Sequence, residues 1–356
     1  MAAVASPDSD RDLGDRLAVR TLELIDLPSE SRDEARLAAH VTAVLARSGV
    51  PVADLGDTCV LARRGSRALL AGHLDTVPAQ RNRPGSRDGE RVHGLGAADM
   101  KGALAVMIEL ALAGLAVDCL FFGREELPLA EGALTPLLAR ERLDYDLVVM
   151  MEPTANELHA GCLGNVNATW TFHGRSGHSA RPWDADNAIH RAAREIATLA
   201  AVEPEEHAFD GLAFVEVASV TSIAGGIAAN VVPDLVECHV NYRFAPDRTP
   251  EAAAERLREL CPGDLRIRSL APSGPVATAN PLARSLVEAG GLRVAPKQAW
   301  TPVAEFAHAG LDAVNFGPGE PAQAHRRDES VEIAALVRCY RVLEAWSAPG
   351  LETSPA

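Results

Sequence analysis

The hydrophobic pattern of this chain changes its period twice. Over residues 13–48 apolar positions recur at helical spacing, with a break at Pro28 and Ser29 and an end at Ser48-Gly49, which predicts two helices. Residues 68–72 (ALLAG) are a short, wholly apolar run of the kind found in a strand buried on both faces. A polar stretch at 80–93, with Pro84, Gly85, Asp88 and Gly89, reads as a loop or small hairpin. Residues 100–116 (MKGALAVMIELALAGLA) are apolar on nearly every side and predict a core helix. Further buried strands are expected at 118–122 and 147–151.

Around residue 166 the period falls to two. Segments 166–172, 213–221 and 235–244 alternate apolar and polar positions, as half-buried strands of an antiparallel sheet do. With helices at 185–201 and 250–260 and a last strand at 265–270, the order is that of the ferredoxin-like split arrangement. After Pro275 the earlier grammar returns: a helix at 281–289, a strand at 313–316, the loop GPGEPAQAH and a helix at 331–346. The expected fold is α/β. A main domain with a central, mostly parallel sheet is built from residues 1–165 and 275–350, a ferredoxin-like α+β domain is inserted at 166–274, and a flexible tail occupies 351–356.

Bulk properties narrow the class. A length of 356 residues suits a main domain with one sizeable insertion. The net charge of -15 argues against a nucleic-acid partner, because phosphate binding needs clustered positive charge. The opening stretch has no apolar run of leader length and carries Asp8, Asp10, Asp12 and Asp15, and no segment reaches the roughly 18 apolar residues of a membrane span. Cys59, Cys119, Cys162, Cys238, Cys261 and Cys339 form no CxxC and are expected to be reduced and buried. A cytoplasmic protein with no membrane partner follows as the expectation.

Three predicted strands end in chemistry. His73 and Asp75 leave the first, spaced so that Asp75 can orient the imidazole of a metal-binding His73. Glu125 and Glu126 leave the second; two adjacent carboxylates at the mouth of an apolar strand are costly unless cations sit there. Glu152 leaves the third. Asp99, in GLGAADMKG, is surrounded by small residues and also suits a helix N-cap, and His325 follows a glycine- and proline-rich loop. Two imidazoles with several carboxylates suit two divalent ions, Zn2+ first and Co2+ or Mn2+ next, rather than Ca2+ or Mg2+. Such a pair would polarise a carbonyl and acidify water while a free carboxylate collects its proton.

In order along the chain, GHLDTVP (72–78), GAADMKG (96–102), GREE (123–126), MEPT (151–154), FHGRSGHSARP (172–182) and FGPGEPAQAH (316–325) resemble the dinuclear-zinc peptidase and deacylase family. That family contains carboxypeptidase G, acetylornithine deacetylase and succinyl-diaminopimelate desuccinylase. The texture is nearest to the desuccinylase of actinobacterial type, through GHSARPWDADNAIH, NVVPD and NYRFAPDR. The resemblance implies Asp99 as the ligand bridging two metals, one shared with His73 and Glu152, the other with Glu126 and His325. It implies Glu125 as general base, Asp75 as support for His73, and a cis peptide at Asp99-Met100. It also implies a homodimer in which His178 of the inserted domain steadies the oxyanion at the other subunit's site, with substrate contacts from Arg175, Asn230, Arg243, Thr301, Glu305 and Gly319.

The implied reaction is hydrolysis of N-succinyl-LL-2,6-diaminopimelate, in lysine and diaminopimelate synthesis. In WTPVAEF, however, Glu305 stands where the desuccinylases carry Arg, and a carboxylate there suits a cationic group. An alternative is therefore a deacylase of N-acetylornithine, N-acetyllysine or a similar cationic substrate. An alternative of another class is a non-catalytic binding protein on the same fold, which metal content would separate from an enzyme.

Overall fold

The structure, a computed structural model, describes residues 9–347 and Leu351. These fall into two compact units. One takes in the chain up to Gly161, Ala277–Ala295 and the chain from Glu305 on; the other is Cys162–Val276 with Pro296–Ala304.

In the first unit an eight-stranded sheet runs in the order Val52–Asp54, Val60–Ala62, Asp118–Phe122, Ala68–His73, Leu147–Met150, Ala313–Asn315, Leu158–Ala160, Val294–Pro296. The four strands Asp118–Phe122, Ala68–His73, Leu147–Met150 and Ala313–Asn315 pair in parallel, and every residue in them is buried, polar Asp118, His73 and Asn315 at their ends included. Antiparallel strands flank them, so the sheet is mixed. Register decides where chemistry emerges. His73 lies opposite Phe122 and Ala71 opposite Met150, so the three strands end at one edge and release their polar exits together.

Helices Asp10–Asp26, Gly102–Leu112 and Ile333–Ser347 pack on one another. The helix expected over 100–116 is shorter, since the residues before Gly102 are drawn into the loop around Asp99 and Gly114 turns the chain with φ 79°. Its one buried carboxylate, Glu109, is answered by Arg16 and Arg20 at 3.1 and 3.0 Å. The final helix begins later than expected because Ser330–Glu332 pairs with Arg91–His93, which in turn pairs with Ser86–Arg87.

The second unit is an antiparallel sheet in the order Glu205–Phe209, Leu212–Gly225, Leu235–Phe244, Gly164–His173, Asp264–Ala271. Its last four strands, with helices Ala188–Ala200 and Pro250–Leu260, reproduce the ferredoxin-like order. Val166, Ala168 and Trp170 alternate into a core shared with Ala192 and Leu257 of those helices. Glu205–Phe209 was not expected; EEHAF is largely exposed and lacks an alternating apolar face. Pro296–Ala304 joins this unit through Leu163 N–H to the Ala299 carbonyl at 3.1 Å and a reciprocal pair between Gln298 and the Val215 backbone.

All six cysteines are free and buried. Among the described residues no helix is long and apolar enough to cross a membrane. Of the expected tail at 351–356 only Leu351 is described, and it is buried, its carbonyl accepting from Arg67 N–H at 2.7 Å.

Candidate metal centre

His73 closes its strand with a buried side chain. Its Nδ1 lies 3.0 Å from the Asp75 carbonyl oxygen, which can only accept, so Nδ1 carries a proton and Nε2 is the nitrogen turned toward the carboxylates. That Nε2 faces Asp99 Oδ1 at 3.1 Å and Glu152 Oε1 at 3.9 Å. The other oxygen of Asp99 is 3.6 Å from His325 Nε2, itself 3.0 Å from Glu126 Oε1. Two clusters, His73–Asp99–Glu152 and Asp99–Glu126–His325, thus share one carboxylate, with the donor atoms of each within 4.8 Å of one another. Glu125 forms a third grouping of the same spacing with His73 and Glu126.

Asp75 acts on both His73 and the turn that follows the second strand. Its carboxylate stands 3.6 Å from His73, while its main-chain oxygen orients the ring. The carboxylate also accepts from Glu125 N–H at 2.9 Å, Glu126 N–H at 3.1 Å and the Ser31 hydroxyl at 2.8 Å, and so shapes the turn that presents both glutamates.

Asp99 is held by a residue the sequence reading missed. The buried carboxylate of Glu329 accepts from the N–H groups of Gly96, Ala98 and Asp99 at 2.8, 2.9 and 3.0 Å. Its only sequence signal is an acid four residues past His325, in a polar run that reads as surface. The Asp99-Met100 peptide is cis. Gly317 and Gly319 let the last loop come close: a Cβ would meet the Glu152 carbonyl oxygen at 2.5 Å from Gly317 and the Ala98 carbonyl oxygen at 2.3 Å from Gly319. Gln80 fixes the far end of that loop by donating to the His325 carbonyl at 2.9 Å.

Crowding leaves its mark on the titrations. Burial pushes the Glu125 carboxyl well above the ordinary range; Glu152, Glu126 and Asp75 add to this and His73 opposes it. For His73 burial works against the charged ring, but the hydrogen bond to Asp99 and the charges of Glu125, Asp99 and Asp75 outweigh it and raise the pKa. The hydrogen bond to Glu126 brings His325 up to about 9. Asp75, Asp99, Glu125, Glu126 and Glu152 converge with two imidazoles, a negative excess that two divalent cations suit. The donors, imidazole nitrogen with carboxylate oxygen, are those zinc takes. The residues fit a dinuclear divalent-metal site.

The remaining expected residues divide between the units. Glu305, in the first, is buried, takes a hydrogen bond from the Thr135 hydroxyl and is pushed up to about 7 by burial. In the second, exposed His178 pairs across a short bridge with Val231, and its Nδ1 accepts from Ala180 N–H at 3.0 Å, which leaves Nε2 as the donor of the neutral ring. Asn230 accepts through its carbonyl from Ser179 N–H at 3.0 Å. Exposed Arg175 exchanges backbone hydrogen bonds with Asp186. The half-buried guanidinium of Arg243 donates to Asn241 at 2.9 Å and to no carboxylate among the described residues. Thr301 is buried, its carbonyl facing Cys162 Sγ at 3.6 Å.

The family model for peptidase family M20/M25/M40 matches residues 69–348. A Mycobacterium tuberculosis protein assigned as a succinyl-diaminopimelate desuccinylase is 41% identical over 343 residues, covering 92% of this chain and 96% of that protein. The succinyl-diaminopimelate desuccinylase of Corynebacterium glutamicum is 33% identical over 357 residues, covering 92% and 96%. The crystal structure of a Staphylococcus aureus tripeptidase superposes with a TM-score of 0.73 at 18% identity, over 94% of this chain and 98% of that one, and shares the fold. Paired His and carboxylate clusters at the strand ends, read with these likenesses, make the chain a metal-dependent amidohydrolase of the deacylase kind, and it belongs to the M20/M25/M40 peptidase family.

Proposed function

We propose that the chain hydrolyses N-succinyl-LL-2,6-diaminopimelate to succinate and the free diamino acid, a step of lysine and diaminopimelate synthesis. The observation that carries this reading is the 41% identity, over nearly the whole of both chains, to a relative assigned that reaction. When bound, two divalent cations supply Lewis acidity toward the amide carbonyl and lower the pKa of water.

The protein's own residues do the rest. His73, Asp99 and Glu152 would hold one ion, and Asp99, Glu126 and His325 the other. Glu125, grouped with His73 and Glu126, takes the proton from the attacking water and returns it to the leaving nitrogen. Asp75 keeps it in place by holding its N–H. His178, whose Nε2 is a donor, meets the negative charge that develops on the carbonyl oxygen, from the partner in a homodimer. Arg175, Asn230, Arg243, Thr301 and Gly319 line the substrate; Arg243, lacking a carboxylate partner, suits the succinyl or amino-acid carboxylate. The reaction is placed in the cytoplasm, which six unpaired cysteines support.

Glu305 favours a second reading. An acid in place of the Arg would suit an ammonium or guanidinium once turned from its bond to Thr135, so an N-acyl ornithine or lysine is the competing substrate. Zinc- or cobalt-loaded protein should be given the succinylated diamino acid beside N-acetylornithine and N-acetyllysine. Release of succinate with little turnover of the acetyl compounds is expected; turnover of an acetylated substrate alone would sink the first reading. Mixed dimers of Glu125→Gln and His178→Ala chains should recover part of the activity, and no recovery would argue for a site completed within one chain.

A further inference from the structure

The second unit carries a cluster that amide hydrolysis does not use. The exposed strand Glu205–Phe209 returns through the two-residue turn Asp210-Gly211, both with positive φ, and pairs with Leu212–Gly225. Register sets Glu205 directly opposite Glu216, and His207, two residues on, shares the face of Glu205. Like charges directly opposite one another destabilise a sheet, and burial of Glu216, 4% exposed, sharpens the cost. Glu216 is nevertheless kept as a carboxylate by Arg248 Nε at 2.8 Å, the Tyr242 hydroxyl at 2.6 Å and Ala245 N–H at 2.9 Å.

His207 points the same way. Its Nδ1 lies 3.3 Å from Asp247 Oδ2, which fixes the proton on Nδ1 and the lone pair on Nε2. That Nε2 is shielded from solvent and has no hydrogen-bond partner, yet faces Glu205 Oε1 at 3.5 Å and Glu216 Oε2 at 3.8 Å. Neither separation is a hydrogen bond. Both lie near the edge of a tetrahedron, about 3.3 Å for nitrogen and oxygen donors at zinc distances.

We propose that Glu205, His207 and Glu216 form a further divalent-cation site, of the zinc type, in the second unit. Asp247 is the carboxylate behind its histidine, the same relay that orients metal-bound imidazoles generally. Three carboxylates against Arg248 leave two negative charges for a divalent ion to balance. A cavity of about 220 Å³ has Glu205 and Glu216, with Arg256 but not His207, in its wall, so water reaches the two carboxylates from that side. The ion would lock the edge strand to the rest of the sheet, so the site is structural rather than catalytic.

The test is a metal count on the full-length protein, saturated with Zn2+ and dialysed against buffered free zinc. His207→Gln and Glu205→Gln should each bind about one ion fewer per chain than the unsubstituted protein, with the rate of amide hydrolysis unchanged. Equal counts in the unsubstituted protein and His207→Gln, or retention of the extra ion by Glu205→Gln, would overturn the proposal. Glu205 is exposed, so its variant decides the matter even if His207→Gln folds poorly. The count does not depend on which amide is cleaved.

Discussion

The two ends of the metal centre are built differently. At one end His73 and Glu152 leave adjacent buried strands, and the His73 side chain is 1% exposed. At the other, His325 rides a loop with its side chain 53% exposed, tied down by Gln80 through its backbone. Asp99 offers one oxygen to each end. The sheet therefore enforces the geometry of the first end, whereas the second depends on a loop that substrate and solvent can reach. An ion should exchange first at the open end.

Loss of the shared donor is expected to have the largest effect. Asp99→Ala should empty both ends and abolish hydrolysis; a full complement of metal in this variant would show that the two clusters do not depend on a common ligand. Glu125→Gln should lower turnover by about 10³-fold with both ions kept, because only the proton acceptor is removed. Metal loss in Glu125→Gln would instead make that residue a ligand.

The asymmetry itself is broken or sharpened by paired variants. His325→Ala should release about one ion and leave the other, while His73→Ala should also cost on the order of 2 kcal/mol more stability, since removing its buried ring leaves a cavity at the strand end. Equal melting temperatures for the two would argue against an unequal centre. Glu329→Gln should weaken metal binding about 10-fold, with activity restored by saturating zinc, because it loosens the loop that carries Asp99 rather than a ligand.

The smallest effect is one of pH. With no metal bound, Glu126 raises His325 from an ordinary 6.5 to about 9. Its contribution to stability is whole below the lower value and is lost as pH rises through the higher one. The melting temperature of metal-stripped protein should decline slightly across that window, and His325→Ala should remove the slope. Zinc affinity should rise over the same window, since the ion must displace the proton.

Much of this centre is written locally. Apolar runs ending in His73, Glu125-Glu126 and Glu152 announce strands that release donors at their mouths, and parallel pairing in register is enough to gather them. The alternation over 166–270 likewise announces the antiparallel unit. Strands of three residues, such as Val60–Ala62 and Leu158–Ala160, carry too few positions to show a period, and Glu205–Phe209 hides because an exposed edge needs no apolar face.

By itself the sequence determined the period of each element, and therefore which residues stand at strand ends. Only the tertiary structure decided the pairings between distant donors: Asp75 turning its carboxylate toward Glu125 and Glu126, Glu329 gathering three N–H groups around Asp99, and Glu205 meeting Glu216 beside His207. The reason is physical. Periodicity reports the burial of one element against its surroundings, while a hydrogen bond or a ligand pair requires two backbones to meet in a particular register.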